Sequence, residues 1–268
     1  RRQLGFSMAE VAISLAILSL ATAGLISSIS KQTEQRKFVL TRQLLDESRS
    51  SLLAFAGTNG RLPCPATNVS AGQEAIASNT GVVVTCQAET GFLPAVTLGL
   101  AGIEQSGLLN DAWADGAGNA NGTFRRAIRY GITNLAAPVT SAITSPALGA
   151  PGAVNRRTDV QASLNAGQGV FVCRRAAGIG AGINRCGSSA NLLAGNAVAV
   201  IWSAGINGSD PAQYSADENQ NVTQAVPRVY VSRVTAPRDA VGGNFDDLVT
   251  WLSYPVLADR LMLGGFVM

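Results

Sequence analysis

A single carboxylate, that of Glu10, is the only charged group in the apolar run Phe6–Ile29. Placing a charge in apolar surroundings is costly unless an opposite charge accompanies it. The run contains no Lys or Arg, so it cannot supply that partner itself. The chemistry that Glu10 predicts is therefore ion pairing with a cationic group from elsewhere, not catalysis.

The sequence contains no histidine, which excludes Ser-His-Asp and Cys-His catalysis and any histidine-ligated metal. It has four cysteines and no C-x-x-C pair, and such an even number after an export segment predicts disulfides. Three pairings are possible. We favour Cys64–Cys86 with Cys173–Cys186, because each closes a loop rich in Gly and Asn. A structural zinc site is the alternative.

The basic residues form small groups that carry no clear binding signal. The net charge is +3, and short arginine clusters occur at Arg125–Arg129, Arg156–Arg157 and Arg174–Arg175. No aromatic side chains are interleaved with them, so solvated surface is the favoured interpretation. Nucleic-acid binding is a less favoured alternative.

The element that must position Glu10 is one long helix, predicted from about Phe6 to Ala56 and ended by Gly57 as its C-cap. At about 1.5 Å per residue, its apolar first part is long enough to cross a bilayer. Its second part is amphipathic, because Phe38, Leu45 and Leu52 recur near heptad spacing. We expect that apolar stripe to pack on a sheet.

Beyond Gly57 the chain is rich in Gly, Asn, Ser and Thr, with short apolar runs that predict strands. These runs are Val82–Val84, Ala127–Ile132, Gly169–Cys173, Ala197–Ser203 and Arg228–Val234. Residues 135–152 read as a long loop. Near the C-terminus, Asn244 predicts the cap of a short helix over 246–251, and a second helix is expected at about Val256–Met262.

The segment Arg1-Arg2-Gln3-Leu4-Gly5, followed by Phe6 and by Glu10, resembles the class III signal of type IV prepilins and type II secretion pseudopilins. The resemblance implies cleavage between Gly5 and Phe6 by a prepilin peptidase, followed by methylation of Phe6. It also supplies the partner of Glu10, namely the α-amino group of a neighbouring subunit. The domains would be a leader (1–5), a transmembrane and polymerisation helix (6–30), an amphipathic helix (31–56) and a globular pilin-like head (57–268).

The same resemblance implies an α+β fold, in which a long N-terminal helix packs on an antiparallel sheet that carries large loop insertions. The function implied is that of a minor pilin or pseudopilin in a type IV pilus or a type II secretion filament. Such a subunit is stored in the inner membrane with a periplasmic head and then assembled into the filament. Its partners are other pilin subunits, the prepilin peptidase and the inner membrane.

Weaker motifs extend the resemblance to the C-terminal half: Asp111-Ala112-Trp113, the turn Trp202–Gly208 and the closing segment Phe245–Trp251. The family binds calcium between that turn and that closing segment, and calcium prefers oxygen ligands. This chain offers Asn207, Asp210, Asp217, Glu218, Asp246 and Asp247; the predicted ligands are Asn207, Asp210, Asp217, Asp246 and Asp247. Alternatively, residues 210–218 form a solvated loop, and Asp246-Asp247 begins a helix whose dipole favours acids.

Two other classes of function compete with a structural subunit. One is a tip adhesin, or a DNA- or ligand-binding minor pilin, favoured by the large head with its scattered arginines. The other is a tethered enzyme, which the absence of His, of a phosphate-binding loop and of G-x-S-x-G disfavours. We therefore expect no catalytic residues, and no cofactor other than calcium.

Overall fold

The computed structural model describes residues 8–79, 84–102, 106–114, 123–133, 164–182 and 184–266. The chain divides into two compact units, Arg1–Leu40 and Thr41–Met268, and we call the second one the globular unit. Gly5, Phe6, the predicted loop 135–152 and Arg156–Arg157 lie outside the described residues.

The first element is the helix α1, Met8–Asn59. It continues past the predicted end at Gly57 and stops at Gly60, whose positive φ of 67° suits a residue that terminates a helix. The Gly60 N–H donates to the Ala56 carbonyl at 2.8 Å, which closes the last turn.

Among the described residues, no helix is both long enough and apolar enough to cross a bilayer. This finding contradicts the predicted long N-terminal transmembrane helix and the predicted inner-membrane location. Glu10, Ser14 and Ser19 are the polar positions in the described part of the apolar run. Apolar side chains of this part are exposed, namely Met8, Val11, Ile13, Leu15, Ile17 and Leu18.

Within the globular unit, α1 buries one face, which carries Thr41, Leu45, Ser48, Leu52 and Ala56. The spacing of three or four residues places these side chains on one side of the helix. Polar contacts also fasten this part of α1. The Ala112 N–H donates to Thr41 Oγ1 at 3.1 Å, and Arg49 Nε donates to the Trp251 carbonyl at 3.3 Å.

The globular unit is built on a sheet with the order β3-β4-β6-β5-β7, in which β8 also pairs with β6. Its strands are β3 (Thr90–Phe92), β4 (Arg129–Ile132), β5 (Val170–Cys173), β6 (Leu192–Ser203), β7 (Val229–Val231) and β8 (Leu248–Ser253). A separate hairpin joins β1 (Ile76–Asn79) to β2 (Val84–Cys86). The long strand β6 is the centre of this arrangement, and its residues 197–203 are buried.

The predicted antiparallel sheet is wrong, because β5 and β7 pair in parallel and the sheet is mixed. Parallel neighbours need a crossover, and here the chain between them runs through β6 and the helix α3, Ala216–Thr223. The other described helices are α2 (Thr123–Arg126) and α4 (Tyr254–Leu263), with 3₁₀ turns at Ser189–Asn191 and Pro211–Gln213.

In the C-terminal segment, one predicted helix is absent and another is present. The helix expected over 246–251 is wrong, since this segment enters the strand β8. Val249, Thr250 and Trp251 favour strands, and the pairing of β8 with β6 outweighs the helix-cap signal of Asn244. The helix predicted at Val256–Met262 corresponds to α4.

Both predicted disulfides are present, Cys64–Cys86 and Cys173–Cys186. They leave no free cysteine among the described residues, so the zinc alternative is wrong. Stable disulfides are typical of proteins in an oxidising compartment.

We expect the Cys64→Ser/Cys86→Ser variant to lose about 3 kcal/mol of unfolding free energy, because the crosslink restricts the unfolded chain. Urea unfolding of the oxidised chain would measure this loss. The matched variant Cys173→Ser/Cys186→Ser closes a shorter loop, 13 residues against 22. Its loss should be smaller by about 0.5 kcal/mol. Wild-type stability in either variant would contradict the expectation.

Candidate functional site

Three buried carboxylates meet in the globular unit, those of Glu218, Asp246 and Asp247. One ligand oxygen from each lies within 4.8 Å of the others. The exposed fractions of these residues are 0%, 5% and 3%, so little solvent screens their mutual repulsion. We call Glu218, Asp246, Asp247 and the neighbouring Asn207 the acidic cluster.

Glu218 is held in place because it caps its own helix. Ser215 precedes α3 and forms a capping box with Glu218, in which each side chain accepts from the other residue's backbone N–H. Glu218 Oε2 accepts from Ser215 N at 2.8 Å and from Asn207 Nδ2 at 3.2 Å. Its Oε1 accepts from Asp246 N at 2.9 Å. One carboxylate thus joins three separate segments of the chain.

Asp246 and Asp247 precede β8, and their carboxylates accept hydrogen bonds from different side chains. Asp247 Oδ2 accepts from Asn221 Nδ2 at 2.7 Å, and Asp246 Oδ2 accepts from Asn244 Nδ2 at 3.2 Å. The chain also approaches Asp246 closely at Gly205, where φ is 61°. A Cβ at Gly205 would collide with the Asp246 carboxylate and carbonyl, so this turn requires glycine.

Three oxygens of the cluster are buried without a hydrogen bond: Asn207 Oδ1, Asp246 Oδ1 and Asp247 Oδ1. Buried acceptors in folded proteins normally have a donor, and leaving one unsatisfied costs about 1–3 kcal/mol. Two of these oxygens belong to carboxylates of the group, Asp246 and Asp247, and a bound cation would satisfy them.

Burial dominates the electrostatics of the site. It raises the pKa of Asp246 to about 7, and the neighbouring Glu218 carboxylate adds to that rise, while the Asn244 side chain and nearby backbone N–H groups oppose it. Burial also raises the pKa of Asp247 well above its ordinary value, although the Asn221 hydrogen bond opposes the rise. Protons or a metal ion would relieve this repulsion.

The structure brings together only part of the predicted ligand set. Asn207, Asp246 and Asp247 converge on Glu218, whereas Asp210 and Asp217 have other contacts. Asp217 forms an ion pair with Arg233, with Nε and Oδ2 2.7 Å apart, and accepts from Ala176 N at 2.6 Å. Asp210 caps the 3₁₀ turn Pro211–Gln213 by accepting from Ala212 N at 3.1 Å.

The donor set of the cluster fits a hard cation. It consists of carboxylate and amide oxygens and contains no nitrogen or sulfur ligand, which suits Ca²⁺ or Mg²⁺ better than zinc. If each of the four side chains binds through one oxygen, they supply four ligands, fewer than the six to eight oxygens that calcium takes. Carboxylates that bind through both oxygens would supply more. Water or backbone carbonyls would complete the shell.

Sequence reasoning missed the supporting residues Asn221 and Asn244 and left Glu218 out of the predicted ligand set. A signal for Glu218 was available: Ser215 and Glu218 form the S-x-x-E pattern of a capping box. That pattern predicts a helix start at 216 and excludes a solvated loop there. Asn221 and Asn244 carry no comparable pattern, since only the tertiary fold brings them to the cluster.

The remaining candidate residues have other surroundings. Glu10 is exposed on α1, and its backbone carbonyl accepts from Ser14 Oγ at 2.7 Å. In the Arg125–Arg129 group, Arg126 donates to the carbonyls of Gly205 and Ile206, and Arg129 lies 4.5 Å above the Phe92 ring. These two arginines therefore support the fold.

Comparisons with known proteins gave no match to a family model, to a curated protein or to a solved structure. The resemblance to prepilins thus depends on the sequence motifs alone.

With a chelator present, we expect the unfolding free energy to fall as pH rises between about 4 and 7. Asp246 has a native pKa of about 7, against about 4 in an unfolded chain, so the native state binds the extra proton in this window. One such group contributes a slope of at most about 1.4 kcal/mol per pH unit.

Urea unfolding at several pH values would measure this slope, and Asp246→Asn should make it less steep, because the amide does not titrate while Asp247 still does. The exposed Asp239→Asn is the matched control and should keep the wild-type slope. An unchanged slope in Asp246→Asn would show that Asp246 titrates normally.

Proposed function

We propose that this chain is a structural subunit of a filament, of the type IV pilus or type II secretion pseudopilus kind, and that it assembles through α1. The observation that carries the proposal is the exposure of apolar side chains in residues 8–18 of α1. Val11, Ile13, Leu15, Ile17 and Leu18 are each between 47% and 63% exposed. Apolar surface of this extent favours association, and the same helix of other copies would cover it.

Glu10 supports a specific register for this association. It is the only acid in residues 8–19, and it lies among the exposed apolar side chains. If neighbouring helices bury it, an opposite charge must accompany it, and a free α-amino group at Phe6 would provide one. Pairing of Glu10 with that group in the next subunit would select one register. Cleavage between Gly5 and Phe6 is therefore part of the proposal.

We also propose that the acidic cluster binds a calcium ion. The support is the set of three buried oxygens that lack donors, within a group of three carboxylates. Asn207, Glu218, Asp246 and Asp247 would hold the ion. The bound ion would supply positive charge that offsets their repulsion, and so would stabilise the globular unit.

Glu10→Ala should strongly reduce incorporation of the subunit into filaments, because the ion pair that selects the register is lost. Quantitative immunoblotting of sheared filaments against whole cells would measure incorporation. Glu34→Ala removes an exposed acid from the same helix and should incorporate normally.

Mass spectrometry of the N-terminal peptide is the accompanying control. All variants should begin at methylated Phe6 when the prepilin peptidase is present and retain the leader when it is absent. Normal incorporation of Glu10→Ala would refute the register role, and an uncut N-terminus in cells with the peptidase would refute the filament proposal.

Calcium should raise the melting temperature of the full chain at neutral pH. At an ion concentration about 100-fold above Kd, the gain is about 2.7 kcal/mol, or about 5–10 °C for a unit of this size. Calorimetric titration would give the affinity. Asp247→Asn should weaken binding about tenfold or more, because it removes one ligand charge.

Asp239→Asn again serves as the control, since this exposed carboxylate lies outside the cluster. Magnesium in place of calcium tests ion selectivity. The absence of both heat and a thermal shift with calcium would refute the metal proposal while leaving the filament proposal intact.

A further inference from the structure

A cleft of about 480 Å³ lies in the globular unit, bordered by α1, the start of β6, the segment after β7 and the start of β8. Its apolar lining includes Leu45, Leu193, Val234, Leu248 and Val249. Its volume lies within the range of about 300–1,000 Å³ that is typical of small-ligand sites, and such sites combine an apolar lining with a few polar groups.

Two of the charged residues that line the cleft already have structural contacts. Arg233 pairs with Asp217, donates to three backbone carbonyls in residues 242–244 and lies 4.8 Å above the Phe245 ring. Asp247 belongs to the acidic cluster and accepts from Asn221. Neither group is available to recognise a ligand in the cleft.

The other charged residues of the cleft are Arg42, Asp46 and Arg174. All three are exposed. Within the part of the chain that the structure describes, their charged groups take part in none of the ion pairs, which join other residues. Arg42 lies on α1 and Arg174 directly follows β5, yet both border the same cleft. Two guanidinium groups and one carboxylate leave the cleft with a net positive charge.

We propose that this cleft binds a small organic anion, in which a carboxylate or phosphate group is carried on an apolar body. The guanidinium groups of Arg42 and Arg174 match these anions in charge and in planar hydrogen-bond geometry. The leucine and valine side chains would cover the apolar body. The carboxylate of Asp46, one helical turn after Arg42, would repel the anion. This site is separate in function from filament assembly and from calcium binding.

Calorimetric titration of the full chain tests the proposal, with octanoate and octyl phosphate as probes and octylamine as the cationic control. A fixed calcium concentration keeps the acidic cluster constant throughout. We expect saturable binding of at least one anion, and the stronger of the two identifies the preferred acidic group. Octylamine should not compete.

Two variants with opposite expected effects on anion affinity make the test more specific. Arg42→Gln/Arg174→Gln should weaken anion binding about tenfold or more, since two charged donors are lost. Asp46→Asn should tighten it about two- to fivefold, because a repulsive charge is removed. Arg238→Gln, at an exposed position outside the cleft, should leave the affinity unchanged.

Circular dichroism and urea unfolding would establish that the variants keep the wild-type fold. Absence of saturable binding by both anions would overturn the proposal. So would equal binding of octylamine, or wild-type affinity in a folded Arg42→Gln/Arg174→Gln variant.

Discussion

The globular unit depends on one buried carboxylate, that of Glu218. Its two oxygens accept hydrogen bonds from Ser215, Asn207 and Asp246, which lie before α3, in the turn after β6 and before β8. A fully buried charge is costly, and only several well-placed donors make it tolerable. The positions of the β6 turn and of the β8 entry therefore follow from how Glu218 is satisfied, and the acidic cluster is a consequence of that packing.

Several elements could be predicted because their signals are local. The long helix α1 follows from continuous helical spacing, and the runs around β4, β5, β6 and β7 are short, apolar and bounded by turn residues. The two disulfides join cysteines that are near in sequence, so loop closure favours them over the crossed pairings.

Other features depend on contacts that no local pattern contains. Asp246 and Asp247 resemble a helix start, yet β8 forms because β6 offers a free edge. β5 and β7 pair in parallel because the chain between them crosses over through β6 and α3. For the cluster, Asn207, Asp246 and Asp247 were predicted together, but Asp217 was not predicted to pair with Arg233. The transmembrane prediction depended on the apolar run of the sequence, and no described helix meets the requirement for a span.

The contacts between α1 and the last strand and helix have a consequence for synthesis. Arg49 donates to the carbonyl of Trp251, and Arg260 Nε donates to the Leu53 carbonyl at 3.3 Å. These two contacts join residues that are 202 and 207 positions apart. They cannot form until β8 and α4 have been synthesised, long after the second part of α1. Pairings this distant in sequence also slow folding, so a nascent chain has a long interval in which other proteins can bind this part of α1.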